Sequence, residues 1–248
     1  MNTPLWYSLW SFPTPYHGSE SAFVDENRMP CSEDFIAQSD AIRNEVLTFL
    51  ENQKAVPYFK QSMLENGKGY HTLSLAWWGI RFNKNQQKMP VLASILNRHP
   101  ELLTLSINIL EANSRILPHM GDTNATYRGH FGISIPSTLP AAGIRVKGEE
   151  RFWKEGAFIW FMDAYLHETW NQTNHPRIIL LVDALRPEFK ARKKRICATA
   201  MTSLFLQKRI EKYRFFQRNQ SRIVRYVAPA LIPLVQIRIA WINFIGKY

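Results

Sequence analysis

The middle of the chain alternates hydrophobic and polar side chains with a period of two. In residues 103–110, leucines and isoleucines alternate with Thr104, Ser106 and Asn108. In residues 127–135 one face carries Arg128, His130, Gly132 and Ser134, and the opposite face carries Tyr127, Phe131, Ile133 and Ile135. Strands with one apolar and one polar face indicate a barrel or sandwich whose interior is lined for a small polar ligand.

Further short strands are predicted at residues 75–82, 143–146, 157–162 and 178–182. The last two are almost continuously apolar, as expected of strands that are covered on both faces. Many short strands separated by turns that contain Gly, Pro and Asn are typical of a jelly-roll β-sandwich. The sequence therefore predicts a mainly β domain with flanking helices.

The predicted helices lie on the amino-terminal side of this domain. Residues 33–53 follow Ser32 as a helix N-cap, and their apolar residues recur at helical spacing. Residues 90–98 are predicted to form a second helix, and both helices are expected to buttress the outer face of the sandwich. Residues 1–32 contain many aromatic residues and prolines, Phe12 and Pro13 among them. We interpret them as an extended arm packed over a domain that covers residues 33–187.

The composition indicates an intracellular globular protein. The chain has 248 residues, of which 46% are hydrophobic, which is enough for a sizeable core. Its two cysteines, Cys31 and Cys197, are too few for a disulfide framework and are typical of a reducing compartment. The amino terminus lacks the pattern of a secretory signal. We therefore expect a cytoplasmic location.

Positive charge is concentrated at the carboxyl end. Residues 186–248 contain 15 Lys and Arg against 2 Asp and Glu, whereas residues 1–185 contain 16 against 18. An apolar run at 227–245 is almost long enough to cross a membrane, but Pro229, Pro233, Gln236 and Arg238 argue against a span.

We predict that residues 188–248 form a basic amphipathic helical tail. The tail is expected to bind an anionic membrane surface at the inner face of the membrane, with Trp241, Phe244 and Tyr248 at the interface. The alternative is a helical cap on the domain whose charges are solvated. Nucleic acid is not expected as a partner, because the chain contains no recognition module.

Two histidines are candidate metal ligands. His119 ends one predicted strand, and His167 follows another strand 48 residues later. Two imidazoles from separate strands can meet at the mouth of a barrel and bind a first-row metal. Arg128 and Arg177 are candidates for bidentate carboxylate binding, and Arg177 precedes a hydrocarbon strand where an unpaired guanidinium would be costly. A dicarboxylate co-substrate would neutralise it.

Each of these residues also has a simpler interpretation. A lone strand histidine is usually a hydrogen-bonded core residue, and a strand arginine is usually paired with an internal carboxylate. We apply the simpler interpretation to the remaining histidines, which are His17, His71, His99 and His175. The joint spacing of His119, Arg128, His130, His167 and Arg177, with gaps of nine, two, thirty-seven and ten, favours a site.

These residues and their spacing resemble the catalytic domain of the aspartyl/asparaginyl β-hydroxylases. The similar stretches include Pro118-His119-Met120-Gly121, Arg128-Gly129-His130-Phe131-Gly132, Trp153-Lys154-Glu155-Gly156, Asp163, His167-Glu168, Arg177 and Asp183. The resemblance covers about residues 75–190. It implies a double-stranded β-helix that binds Fe(II) and uses 2-oxoglutarate and O2 as co-substrates.

The resemblance also implies a role for each residue. It makes His119 and His167 the iron ligands, Arg177 the partner of the far carboxylate of 2-oxoglutarate, and Arg128 and His130 contacts to the carboxylate beside the keto group. Asn108 stands where the family has a serine that also contacts the far carboxylate.

The third iron position is left open by the sequence. Most such oxygenases have a carboxylate two residues after the first histidine. Here that position is Gly121, so water is expected to fill it, with chloride as an alternative. Asp122 is expected either to hold that water or to cap the turn.

The resemblance implies hydroxylation of the β-carbon of an Asp or Asn residue in a peptide or carrier-bound amino acid. The alternative is an acyl chain of a lipid, of the lipid A or ornithine-lipid type, and the basic tail favours that alternative. A non-catalytic β-helix that only binds a ligand is a lesser alternative.

Overall fold

The computed structural model describes residues 4–11, 14–53, 55–58 and 60–246. Phe12 and Pro13 of the predicted arm and Tyr248 of the predicted interface lie outside these residues. The strands are β1 (Phe23–Val24), β2 (Val56–Pro57), β3 (Tyr70–Trp77), β4 (Ile80–Arg81), β5 (Leu102–Leu110), β6 (Ser114–His119), β7 (Thr126–Ser134), β8 (Ala142–Val146), β9 (Glu149–Arg151), β10 (Phe158–Phe161), β11 (His167–Asn171) and β12 (Arg177–Leu185). The α-helices are α1 (Ser8–Ser11), α2 (Cys31–Ala37), α3 (Ser39–Asn52), α4 (Asn83–Lys88), α5 (Pro90–Arg98), α6 (Lys193–Lys212), α7 (Arg214–Arg218), α8 (Gln220–Arg222) and α9 (Ala228–Ile245).

The strands form two antiparallel sheets. The larger sheet has the order β1-β10-β7-β12-β5-β3-β2, with β4 paired to β3, and the smaller sheet has the order β6-β11-β8-β9. From β5 to β12 the chain passes repeatedly between the two sheets, each of which receives four of these strands. This arrangement is the predicted double-stranded β-helix.

The outer face of the larger sheet is covered by helices α2, α3 and α5. Phe35, Ile42 and Leu92 from these helices pack against Ile107 and Phe131 of the sheet, and all five side chains are buried. The opposite face of β5 carries Thr104, Ser106 and Asn108, which line an internal cavity. The predicted polar inner face is confirmed.

Two of the predicted elements need correction. The predicted helix at 33–53 is two helices, α2 and α3, because the backbone leaves helical geometry at Gln38 (φ −113°, ψ 20°). The predicted strand at 75–82 is interrupted after Trp77, because Trp78 (φ 45°) and Gly79 (φ 80°) turn the chain into β4. The hydrophobic pattern does not predict the short strands β1, β2, β9 and β11. The helix predicted at 90–98 is confirmed as α5.

The carboxyl-terminal tail is helical, as predicted, and part of it packs on the domain. Ile196, Cys197 and Leu204 of α6 are buried in a cluster with Trp78 and Leu103 of the domain. Helix α9 packs along α6. Within the described residues, the helical stretch Gln220–Ile245 is long and apolar enough to cross a membrane by length and composition, although the sequence argued against a span.

Candidate metal and co-substrate site

His119 and His167 lie side by side in the smaller sheet. His119 ends β6, His167 begins β11, and the two residues are direct partners in the strand register. Their ring centroids are 4.1 Å apart. The strand pairing therefore brings together two side chains that are 48 residues apart in the sequence.

Hydrogen bonds orient both imidazoles for metal binding. The Nδ1 atoms of His119 and His167 lie 2.8 Å from the carbonyl oxygens of Leu117 and Tyr165, respectively. A carbonyl only accepts, so each Nδ1 carries the proton and each Nε2 keeps its lone pair. Burial lowers the pKa of His119 to about 4 and the pKa of His167 well below its usual value. Both rings are therefore neutral, which is the form that binds a metal.

Asp163 occupies the space beside this pair that a side chain at position 121 would need. A Cβ atom placed on Gly121 would overlap the Asp163 carboxylate, and the Gly121 amide donates to the Asp163 carbonyl oxygen at 2.8 Å. Asp163 Oδ1 lies 3.4 Å from His167 Nε2 and is paired with Arg128 Nη1 at 2.6 Å. Burial raises the pKa of this carboxyl, and Arg128 opposes the rise.

The donor set fits a first-row metal ion such as iron. Within the described residues no group of three His, Cys, Asp or Glu side chains is placed to bind a metal, so the two histidines are the candidate ligands. Two neutral imidazoles suit Fe(II). A carboxylate oxygen accepts more than one hydrogen bond, so Asp163 Oδ1 can also accept from a water molecule beside the histidines.

Arg128 is held by two buried carboxylates. Its Nε and Nη2 donate to the two oxygens of Asp183 at 2.7 and 3.1 Å, and its Nη1 lies 2.6 Å from Asp163 Oδ1. Burial alone would lower the pKa of Arg128, but Asp163 and Asp183 raise it above its usual value. The guanidinium also lines the cavity. Its contact with a carboxylate of the co-substrate stays a prediction.

Arg177 has unpaired hydrogen-bond donors in the cavity. The residue is 1% exposed, and its Nε and Nη1 have no partner among the described residues. Burial lowers its pKa to about 10, and its guanidinium lies 4.6 Å from the centre of the Trp153 ring. An unpaired buried guanidinium is costly, so this site is suited to an anionic ligand.

Trp153 also orients His130. The indole Nε1 donates to His130 Nδ1 at 3.3 Å. Because an indole N–H can only donate, His130 Nδ1 is the acceptor and the ring proton is on Nε2. His130 is buried and lines the cavity, where its Nε2–H can donate to a carboxylate. Burial lowers the pKa of His130 well below its usual value, with Arg177 adding to the effect.

Asn108 lies in the cavity wall, and its side-chain amide already forms hydrogen bonds with neighbouring side chains. The Tyr70 hydroxyl donates to Asn108 Oδ1 at 3.0 Å, and Asn108 Nδ2 donates to Ser106 Oγ at 2.9 Å. Asp122 also lines the cavity, and burial raises its pKa to about 6, while a hydrogen bond with Gln207 opposes the rise. The predicted roles of Asn108 and Asp122 stay predictions.

One cavity of about 270 Å³ contains all seven predicted site residues in its lining. Among the lining residues, Val56 is exposed and Lys60, Met63 and Gln207 are partly exposed, so the cavity opens near them, and Leu204 of α6 also lines it. Tyr70, Lys60 and the tail residues have no role predicted from the sequence. Trp153, Asp163 and Asp183 belong to the stretches that carry the family resemblance, without a predicted contact of their own. No sequence pattern indicates these contacts, because they depend on which strands become neighbours.

Comparisons with known proteins point to one family. The family model described as "Aspartyl/Asparaginyl beta-hydroxylase" matches residues 37–187. An ornithine lipid ester-linked acyl 2-hydroxylase of Rhizobium tropici is 30% identical over 152 residues, which are 59% of this chain and 54% of that protein. The human aspartyl/asparaginyl beta-hydroxylase is 29% identical over 160 residues, 62% of this chain and 21% of that protein. This chain thus spans about half the length of the first relative and a fifth of the second.

Among solved structures, a Pseudomonas putida prolyl-4-hydroxylase matches with a TM-score of 0.39 and 12% identity. The match covers 62% of this chain and 87% of that one.

Proposed function

The chain belongs to the aspartyl/asparaginyl beta-hydroxylase family, and we propose that it is an Fe(II)- and 2-oxoglutarate-dependent dioxygenase that hydroxylates an unactivated C–H bond. One observation carries the proposal. A pair of histidines with free Nε2 lone pairs shares a cavity of about 270 Å³ with Arg177, which has two unpaired N–H groups. The first feature suits a metal ion and the second suits a carboxylate.

In this proposal His119 and His167 bind the iron, and Arg177 binds the far carboxylate of 2-oxoglutarate. His130 donates its Nε2–H to the carboxylate beside the keto group, and Arg128 contributes the N–H groups that Asp163 and Asp183 leave free. Iron, 2-oxoglutarate and O2 together would supply the oxidant that hydroxylates the substrate, with succinate and CO2 as products.

For the third iron position we favour water over chloride. Asp163 Oδ1 lies 3.4 Å from His167 Nε2, and besides its pairing with Arg128 it can accept a hydrogen bond from water. A chloride ion there would meet a carboxylate oxygen instead, which is unfavourable when that carboxylate is ionised. Asp163 rather than Asp122 is therefore our candidate for the group that holds the water.

A lipid acyl chain is the substrate class that we favour. The mouth of the cavity carries the apolar side chains of Val56, Met63 and Leu204, and one wall is a helix of the basic tail. The relative from Rhizobium tropici is named as an acyl hydroxylase. The second candidate, the β-carbon of Asp or Asn in a peptide or carrier-bound amino acid, is supported by the family name. We propose that the protein works at the cytoplasmic face of a membrane.

Succinate formation from 2-oxoglutarate, measured with Fe(II) under air, tests the proposed function. His119→Ala and His167→Ala are expected to abolish both turnover and metal binding. His175→Ala, which changes an exposed histidine outside the cavity, is the matched control and is expected to keep both. If the unchanged protein binds neither metal nor 2-oxoglutarate, the non-catalytic binding module is the better explanation. Mass spectrometry of lipids from cells with and without the protein, searching for an added oxygen of about 16 daltons, distinguishes the two substrate classes.

A further inference from the structure

The exposed face of α9 is an apolar stripe. Leu234, Ile237, Trp241 and Phe244 are 62%, 67%, 56% and 88% exposed, and their spacing of three, four and three residues places them on one side of the helix. The opposite side carries Ile232 and Ile242, which are buried. Both sides of α9 are therefore apolar, and only one of them is covered by the domain. Four large apolar side chains in a contiguous exposed row are typical of an interaction surface.

Exposed basic residues are concentrated on the helices that precede α9, and Arg238 lies on α9 itself. Lys208, Arg209, Lys212, Arg214, Arg218, Arg222, Arg225 and Arg238 are all exposed. Within the part of the chain that the structure describes, none of the eight takes part in a salt bridge. Exposed aromatic rings lie among them: the Arg209 guanidinium is 5.1 Å from the Phe205 ring, and Phe215 is 68% exposed. Uncompensated cations beside exposed aromatic and aliphatic side chains match an anionic bilayer surface.

Contacts at both ends hold α9 flat against the domain. Near its carboxyl end, the Asn243 side chain accepts from the Arg81 amide at 3.0 Å and donates to the Gly79 carbonyl at 2.8 Å. At its amino end, Ala228 is buried with Leu9 and Leu206. A helix that crossed a bilayer would have to lose these contacts and bury Arg238 in hydrocarbon, which is costly. The geometry therefore favours a helix that lies in the membrane interface.

The basic end of α6 adjoins the mouth of the active-site cavity. Gln207 of α6 lines the mouth and accepts from Lys60 Nζ at 3.1 Å, and Glu211 accepts from Ser62 Oγ at 3.4 Å. The basic residues of α6 begin at Lys208, directly after Gln207. A bilayer bound to this surface would thus lie close to the opening through which a substrate enters.

We propose that the α9 stripe (Leu234, Ile237, Trp241 and Phe244), together with the exposed basic residues of α6–α9, is a docking surface for an anionic lipid bilayer. The stripe enters the headgroup region while the cations bind the lipid phosphates and carboxylates. Docking places the cavity mouth next to the acyl chains. This inference rests on the proposed function, because only a hydroxylase of acyl chains would need its cavity near a bilayer. The binding to the bilayer itself needs neither iron nor turnover.

Flotation of the full-length protein with vesicles, in the absence of iron and 2-oxoglutarate, tests the docking surface. Vesicles of phosphatidylcholine mixed with phosphatidylglycerol are expected to bind the protein at low ionic strength and to release most of it at high ionic strength. Trp241→Ser combined with Phe244→Ser, and separately Arg214→Gln combined with Arg218→Gln and Arg222→Gln, are each expected to lower the partition coefficient about tenfold or more. These side chains are exposed, so the variants are expected to fold.

Matched controls separate this surface from general hydrophobicity or charge. Ile36→Ser removes an apolar side chain that is 44% exposed on α2, and Arg28→Gln with Lys68→Gln and Lys154→Gln removes three exposed cations elsewhere. Both controls are expected to bind vesicles like the unchanged protein. Equal binding by tail variants and controls would overturn the proposal. So would a dimer in solution that dissociates in the Trp241→Ser, Phe244→Ser variant, because the stripe would then be a contact between two copies. Loss of turnover in His119→Ala with unchanged flotation would leave the docking proposal intact.

Discussion

The Asp163 carboxylate fills the space next to the Cα atom of Gly121. In oxygenases of this type, the residue two positions after the first histidine usually supplies a carboxylate ligand. Here the carboxylate comes instead from the loop before β11, and it stays 3.4 Å from His167 Nε2. The chain therefore keeps a carboxyl group beside the histidine pair although position 121 has no side chain.

Gly121→Ala is expected to destabilise the protein, because its Cβ would overlap the Asp163 carboxylate. We expect a loss of about 1–3 kcal/mol in the free energy of unfolding, as for other overpacked core positions. Chemical denaturation of the single variants and of Gly121→Ala combined with Asp163→Ala measures the coupling. The double variant is expected to be more stable than the sum of the two single effects predicts. Strictly additive effects would show that the two side chains do not compete for this space.

Arg177→Met is expected to stabilise the protein without ligand and to abolish its response to 2-oxoglutarate. The change removes a buried guanidinium with two unpaired N–H groups and retains a side chain of similar length. A buried donor without a partner costs about 1–3 kcal/mol, so a higher melting temperature is expected. Thermal unfolding with Mn(II), with and without 2-oxoglutarate, checks both effects. Arg28→Met, at an exposed position, is expected to leave the ligand-induced shift unchanged. A normal shift in Arg177→Met would exclude Arg177 as the co-substrate anchor.

Trp153→Phe is expected to weaken 2-oxoglutarate binding through His130. Phenylalanine keeps an aromatic ring beside Arg177 but removes the N–H that donates to His130 Nδ1, so the proton of His130 is no longer confined to Nε2. The loss of one such hydrogen bond is worth about 1 kcal/mol, and the KM for 2-oxoglutarate should rise about fivefold. Trp170→Phe removes a comparable indole hydrogen bond, to the Pro140 carbonyl, outside the cavity. It is the control for stability, and its KM is expected to stay unchanged. Equal KM values for the two variants would argue that Trp153 has only a packing role.

Strand alternation made much of the site predictable. A period of two places Asn108, Arg128 and His130 on inward faces, and the cavity confirms that placement. The pairing of Arg128 with Asp163 and Asp183 could not be derived in the same way, because it depends on which strands become neighbours in the larger sheet. Asp183 is the register partner of Arg128 only because β12 lies beside β7.

The tail was harder to interpret for a different reason. Its excess of positive charge favours a solvated or membrane-bound segment. Net charge does not indicate which helix of the tail packs on the domain. The buried side chains of α6 are small or isolated apolar residues, such as Cys197 and Ala200, that give little periodic signal. The packing of α6 on the domain agrees with the helical-cap alternative, and membrane binding by the tail stays a prediction.

Truncation after Arg192 is expected to unfold the domain, although it leaves the predicted oxygenase domain intact in sequence. Without α6, the buried side chains of Trp78, Leu103 and Phe189 would lose the cover of Ile196 and Leu204. Each large apolar side chain contributes about 1.5–3 kcal/mol when it is buried, so exposing three of them is comparable to the whole stability of a typical domain, about 5–15 kcal/mol.

Solubility and circular dichroism of the truncated protein test this expectation, with the full-length Trp241→Ser, Phe244→Ser variant as the matched control. The control alters the same tail but retains every contact of α6, so it is expected to be soluble and to melt close to the unchanged protein. A truncated protein that is soluble and melts at the normal temperature would show that the tail is an independent unit joined near residue 187. In the expected case, α6 is part of the domain core, and the proposed membrane binding has to be tested by point changes at exposed tail residues rather than by truncation.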